Sequence, residues 1–182
     1  MSALHTQPQQ AFMLISLMQV CQAAVRLIKT AEPADLCDLL EICADLFWHP
    51  GEEFLGQVQE RLTAAAADQM PLVSICTSLW AYATFAYVPS ILMQRAYANR
   101  IEQDLDQLNS FQICSLLWVY ALFKTCTQGV WNTLVGRLTQ SDLQDIDEGA
   151  LKLLYQVLLS AASVLMHLQT SCLDILIVFL IV

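Results

Sequence analysis

Three arginines recur along the chain at near-constant spacing: Arg61, Arg100 and Arg137, 39 and 37 residues apart. A cation in every unit of a periodic chain is the arrangement that tracks evenly spaced phosphates, one contact per unit. The same positions also suit a plainer purpose. An arginine near a helix C-terminus offsets the partial charge of the last carbonyls, or pairs with nearby acids such as Glu60, Glu102 and Asp104. A second set of side chains varies between units at two fixed offsets, six and three residues before a largely aromatic position: Asp35/Asp38, Ser74/Thr77, Gln112/Ser115 and Gly149/Lys152. Varied donors and acceptors at fixed places can read base edges, one base per repeat. Hydrogen bonding between helices and helix capping are the alternative uses. Arg61, Arg100 and Arg137 are thus the phosphate-contact candidates. Ser74, Thr77, Gln112, Ser115 and Lys152 are the base-readout candidates.

Other chemistry finds little footing. His5, His49 and His167 are scattered and no nucleophile accompanies them. Five glycines form no phosphate-cradling loop. Glu52-Glu53, Glu102/Asp104/Asp106 and Asp142/Asp145/Asp147/Glu148 read as solvated turns and outer helix faces, not paired catalytic carboxylates. The seven cysteines contain no Cys-x-x-Cys pair, so a zinc site is not expected. Cys37, Cys76 and Cys114 instead share one column among apolar residues, as small buried hydrophobes do, and a reducing compartment fits them. No catalytic residue, metal, cofactor or small-molecule substrate is expected.

These candidates must be positioned by a repeat. Ile-Cys-Thr-Ser-Leu-Trp-Ala-Tyr-Ala-Thr-Phe (75–85) returns 38 positions later as Ile-Cys-Ser-Leu-Leu-Trp-Val-Tyr-Ala-Leu-Phe (113–123). Positions 33, 71, 109 and 147 are Pro, Pro, Asn and Asp, residues that start helices. Pro50, Pro89 and Gln128, each followed by Gly or Ser, mark the turn into a second helix. Leu72, Cys76, Leu79, Tyr82, Ala83 and Ala86 keep helical rhythm, widened by Ile75, Trp80 and Phe85. In the partner helix Tyr97, Ile101, Leu105 and Leu108 point inward, while Gln94, Asn99, Glu102 and Asp106 face water.

The expected fold is all-α: a right-handed α-solenoid of helical hairpins with a period of about 38 residues. Its expected parts are an N-terminal segment 1–32 carrying the helix of a preceding partial repeat, repeats 33–70 (degenerate), 71–108 and 109–146, a partial repeat 147–170, and an apolar tail 171–182. Trp80 and Trp118, with Tyr82 and Tyr120, are expected in the core rather than as stacking platforms. Trp48 and Trp131 lie near helix ends.

The string Leu-Trp-x-Tyr-Ala-x-Phe at this spacing resembles the octotricopeptide and heptatricopeptide repeats of organellar RNA-binding proteins, many of which end in a RAP domain, and the related helical regions of the FAST-kinase-like family. Aligned on Leu117-Trp118 of this chain, Ala121 matches the family's first-helix pattern, with Leu108, Ile113 and Ser115 in place of its Phe, Leu and Asn, and Gln112 one place late. Residues 150–159 look like the helix preceding a RAP domain. The resemblance covers roughly residues 70–160. It implies single-stranded RNA binding in a mitochondrion or plastid, serving transcript processing, stability or translation.

Two departures stand against it: no RAP domain follows residue 160, and 17 Asp and Glu against 8 Lys and Arg leave a net charge of -9. The tail accordingly reads as a truncated terminus. An acidic solenoid that carries a basic protein partner in its groove, without RNA, is the alternative. No basic region precedes the apolar stretch 11–25, and no window reaches the about 18 uninterrupted apolar residues of a membrane span, so neither a signal peptide nor stable membrane insertion is expected.

Overall fold

The computed structural model describes residues 28–65, 69–123, 128–140 and 147–164, with isolated positions between 15 and 26. More than half of the expected preceding-repeat helix at 10–29 falls outside these residues. So do the tail 171–182, the partial repeat beyond 164, His5, His167, Asp142 and Asp145. The described residues are all-helical: α1 (Pro33–Asp45), α2 (Glu52–Ala64), α3 (Leu72–Thr84), α4 (Ile91–Gln103), a 3-10 turn (Leu105–Gln107), α5 (Ser110–Phe123), α6 (Gln128–Gln140) and α7 (Glu148–Val164). The odd-numbered helices start at positions 33, 72, 110 and 148.

Each start has a local cause. Pro33 occupies the first turn of α1, where a missing N–H costs nothing, and Pro71 precedes α3. Asn109 and Gln112 cap α5 reciprocally: the Asn109 N–H donates to Gln112 Oε1 at 3.0 Å, and the Gln112 N–H donates to Asn109 Oδ1 at 2.9 Å. At α7 the Ala150 N–H donates to Asp147 Oδ1 at 2.7 Å. Ser90 Oγ accepts the Met93 N–H at 3.3 Å and so serves α4 in the same way.

The ends of α1 and α3 are also alike. The Trp48 N–H reaches Cys43 O at 2.9 Å and the Phe47 N–H reaches Ala44 O at 3.0 Å. Tyr87 to Tyr82 and Ala86 to Ala83 repeat the pattern at 2.9 and 3.0 Å. This is the glycine-type helix stop, here built without glycine: Phe47 (φ 51°) and Ala86 (φ 53°) hold the left-handed conformation. A Cβ there costs about 1–2 kcal/mol, partly offset by the freedom glycine loses on folding. Ala86→Gly is therefore expected to raise stability by about 0.5–1 kcal/mol in urea unfolding; a loss of stability would mean that the left-handed geometry is misplaced.

The chain forms two compact units, residues 1–93 and 94–182, divided within α4. In the first, α1 packs along α3 and touches α2, burying Leu36, Cys37, Leu40, Leu55, Val58, Ile75, Leu79 and Tyr82. In the second, α5 packs along α7 and against α6, burying Ile113, Cys114, Leu117, Tyr120, Leu134, Leu138, Ala150 and Leu154.

Two expectations are corrected. Trp80 and Trp118 are less completely buried than expected, half-buried where Tyr82 and Tyr120 are buried. At 100° per residue, Tyr82 stays on the face of Leu79, whereas Trp80 is turned to its edge. Gln94, expected to face water, is buried, unlike Asn99, Glu102 and Asp106.

Candidate functional site

Each column arginine stands in the last turn of its helix: Arg61 in α2, Arg100 in α4 and Arg137 in α6. Cations are favoured there by the exposed carbonyls of the helix end. Arg61 Nη2 donates to Ala31 O at 3.1 Å, reaching back 30 residues to the segment that enters α1. Arg100 is paired with Asp104. Arg137 Nε lies 3.8 Å from Asp106 Oδ1, 31 residues back, on a carboxylate that is almost wholly in solvent. In all three the Nε–H is buried and donates no hydrogen bond. Two of these guanidinium groups are thus held by their own hairpin, and only Arg137 is loosely engaged.

Arg137 also lines a cavity. It measures about 380 Å³ and is walled by Leu108, Asn109, Ser110, Phe111, Ile113 and Asp147. The starts of α5 and α7 and the end of α6 meet around it, so a guanidinium, an amide, a hydroxyl and an aromatic ring share one space.

The polar columns divide by exposure. Ser74 and Thr77 are half-buried on α3. Gln112 is half-buried and spends its side-chain oxygen on the cap of α5. Ser115 is buried at 7 %. Lys152 is exposed and its Nζ meets Glu148 Oε1 at 2.7 Å, one turn back. Asp35 and Asp38 are exposed. Replacing Asn109 with Ala is expected to cost about 1 kcal/mol through the lost cap, so any binding defect in Gln112 variants has to be read beside their unfolding midpoints.

Sequence reasoning did not single out the partly exposed stripe that carries the repeat-position aromatic. Positions 111, 115, 118 and 122 of α5 share one face. They are Phe111 (47 % exposed), buried Ser115, half-buried Trp118 and Leu122 (41 % exposed). On α7 the matching stripe is Glu148, Lys152 and Tyr155, the last 57 % exposed. On α3 it is Val73, Thr77, Trp80 and Thr84. Neither α3 nor α5 contains a charged residue. The signal was present in the chain, because Trp80, Trp118 and Tyr155 occupy one repeat position. Their apolar neighbours on every side concealed which way the rings face.

A partly exposed aromatic ring with small polar groups a turn away can stack a planar group and hydrogen-bond its edge. Among the described residues no group of His, Cys, Asp and Glu is disposed to hold a metal ion, and no helix is long and apolar enough to cross a membrane. Comparison with protein-family models, curated proteins and solved structures returned no match to this chain.

Proposed function

We propose that the chain binds single-stranded RNA, as a right-handed solenoid of hairpins with a period of about 38 residues. Bases stack on Trp80, Trp118 and Tyr155. Ser74, Thr77, Gln112 and Lys152 contact base edges, and Arg137 contacts a phosphate at its cavity. The observation that carries this reading is the recurrence, at one repeat position in three first helices, of an aromatic ring that is not fully buried: Trp80 and Trp118 are half-buried and Tyr155 is 57 % exposed. The likeness of Leu-Trp-x-Tyr-Ala-x-Phe to organellar RNA-binding repeats agrees with it and supports a place in mitochondrial or plastid RNA processing. The packing of α1 on α3 and of α5 on α7, helices one period apart, supports stacked hairpins. Ser115 and the arginines Arg61 and Arg100 contribute less, being buried or tied within their own hairpins.

Titration of a fluorescent single-stranded RNA pool at low salt tests the reading. Trp118→Ala and Tyr155→Ala are each expected to weaken binding about tenfold, since a base stacked on an aromatic ring is worth about 1–3 kcal/mol. Replacing Arg61, Arg100 and Arg137 together is expected to lower the salt dependence, chiefly through Arg137. Parent-like RNA affinity in the Trp118/Tyr155 double variant overturns the proposal. Net charge -9 favours a second reading, a protein-interaction scaffold that binds no RNA; binding of a basic protein with no RNA affinity at low salt selects it.

A further inference from the structure

α1 breaks the local electrostatic preferences of a surface helix several times over. Its buried arc is Leu36, Cys37, Leu40, Cys43 and Ala44. The opposite arc carries Asp35, Asp38, Glu41, Ile42 and Asp45, and these five are its only exposed positions. The four carboxylates follow one another at intervals of three, three and four residues, so each consecutive pair is a like-charge contact that weakens the helix. Asp45 stands in the last turn, where the helix dipole disfavours an anion. α1 contains no lysine or arginine, and the ion pairs formed among the described residues lie elsewhere. Partial desolvation against the helix, then the charges of Asp45 and Asp38, raise the Glu41 carboxyl above its ordinary value.

Apolar surface accompanies the charge. Ile42 is 49 % exposed in the middle of the row, and Phe47, just past the helix end, is 90 % exposed. A face that violates several local rules at once, with exposed apolar side chains among its charges, is expected where something else covers it.

We propose that this face docks a basic amphipathic helical segment of a partner protein. Its lysines and arginines neutralise Asp35, Asp38, Glu41 and Asp45, and its apolar side chains cover Ile42 and Phe47. Charge complementarity chooses the occupant. A row of four carboxylates repels a phosphate backbone, and a second copy of this chain brings 17 acidic residues against 8 basic ones. The inference goes beyond the RNA-binding reading and uses neither Trp118, Tyr155 nor Arg137, so either can fail without the other.

The test uses the full chain and a synthetic lysine–leucine peptide of about four helical turns, amphipathic at helical spacing, as the probe. Anisotropy titration at low ionic strength should show binding that weakens as salt rises. Asp38→Asn/Glu41→Gln/Asp45→Asn should weaken it about tenfold. Phe47→Asn, which keeps a residue tolerant of the left-handed conformation, should weaken it about fivefold. Glu52→Gln/Glu53→Gln should leave it unchanged. Relieving like-charge contacts does not unfold α1, and circular dichroism of each variant confirms the fold. Any of four results overturns the proposal: parent-like affinity in the triple variant, equal binding of a peptide with its lysines and leucines scrambled, loss of RNA affinity in the triple variant, or self-association of the parent that Phe47→Asn abolishes.

Discussion

Raising the pH from 8 to 10 will strip stability from this protein, and three thiols will account for most of the loss. Cys37, Cys76 and Cys114 are buried, and burial pushes each thiol from 9.0 up to about 12. At Cys37 a hydrogen bond to Ser78 works in the opposite direction. Because the folded value lies above the unfolded one, the stabilisation is fully present below pH 9 and is lost as pH rises from 9 toward 12. In that window the unfolded chain gives up protons that the folded chain retains. Each thiol should cost about 1.4 kcal/mol per pH unit, and the three together about 4 kcal/mol at pH 10, as an order of magnitude. Urea unfolding at pH 8 and pH 10 measures this, beside a triple Cys→Ala variant whose profile should be much flatter. Equal stability of the parent at both values would mean that the thiols are not desolvated. Below pH 9 the same burial should leave them almost inert to thiol reagents until the fold opens.

Tyr82→Ala should be the more damaging of two neighbouring aromatic truncations. Tyr82 is wholly buried, its ring lies 5.5 Å from that of Tyr87, and its hydroxyl donates to Leu55 O at 3.4 Å, joining α3 to α2. Deleting a ring of this kind costs about 3–5 kcal/mol through lost contacts and the cavity left behind. Tyr82→Phe should cost under about 1 kcal/mol, because the bond it loses is long. Trp80 is the larger side chain but stands at the edge of the helix face and is less completely buried than Tyr82, so Trp80→Ala should cost about 2 kcal/mol while reducing RNA affinity. Denaturation midpoints of the three variants decide the matter. A Trp80→Ala loss equal to that of Tyr82→Ala would put the tryptophan back in the core and remove the stacking platform.

Much of the helical framework was legible because its signals are local. Pro33, Pro71, Asn109 and Asp147 stand at four helix starts, since the free N–H groups of a first turn need either a proline or a side-chain acceptor. The cysteine column was legible as well, for Cys37, Cys76 and Cys114 keep helical register with Leu40, Leu79 and Leu117. The candidate site was legible only as columns. Ser115 and Gln112 fall at equivalent offsets to Thr77 and Ser74, yet one is buried and the other caps its own helix.

Composition and spacing by themselves determined that this chain is helical, where four of its helices begin, and which column carries its cysteines. Those properties follow from hydrogen bonds and apolar contacts within a few residues. Tertiary packing alone decided that Tyr82 is wholly buried and Trp80 only partly so, because α3 and α5 are apolar nearly all round and only a neighbouring helix can choose which side stays dry. It also decided the fate of the arginines. A long side chain binds whatever acceptor the fold brings within reach, and for Arg61 that is a carbonyl 30 residues away.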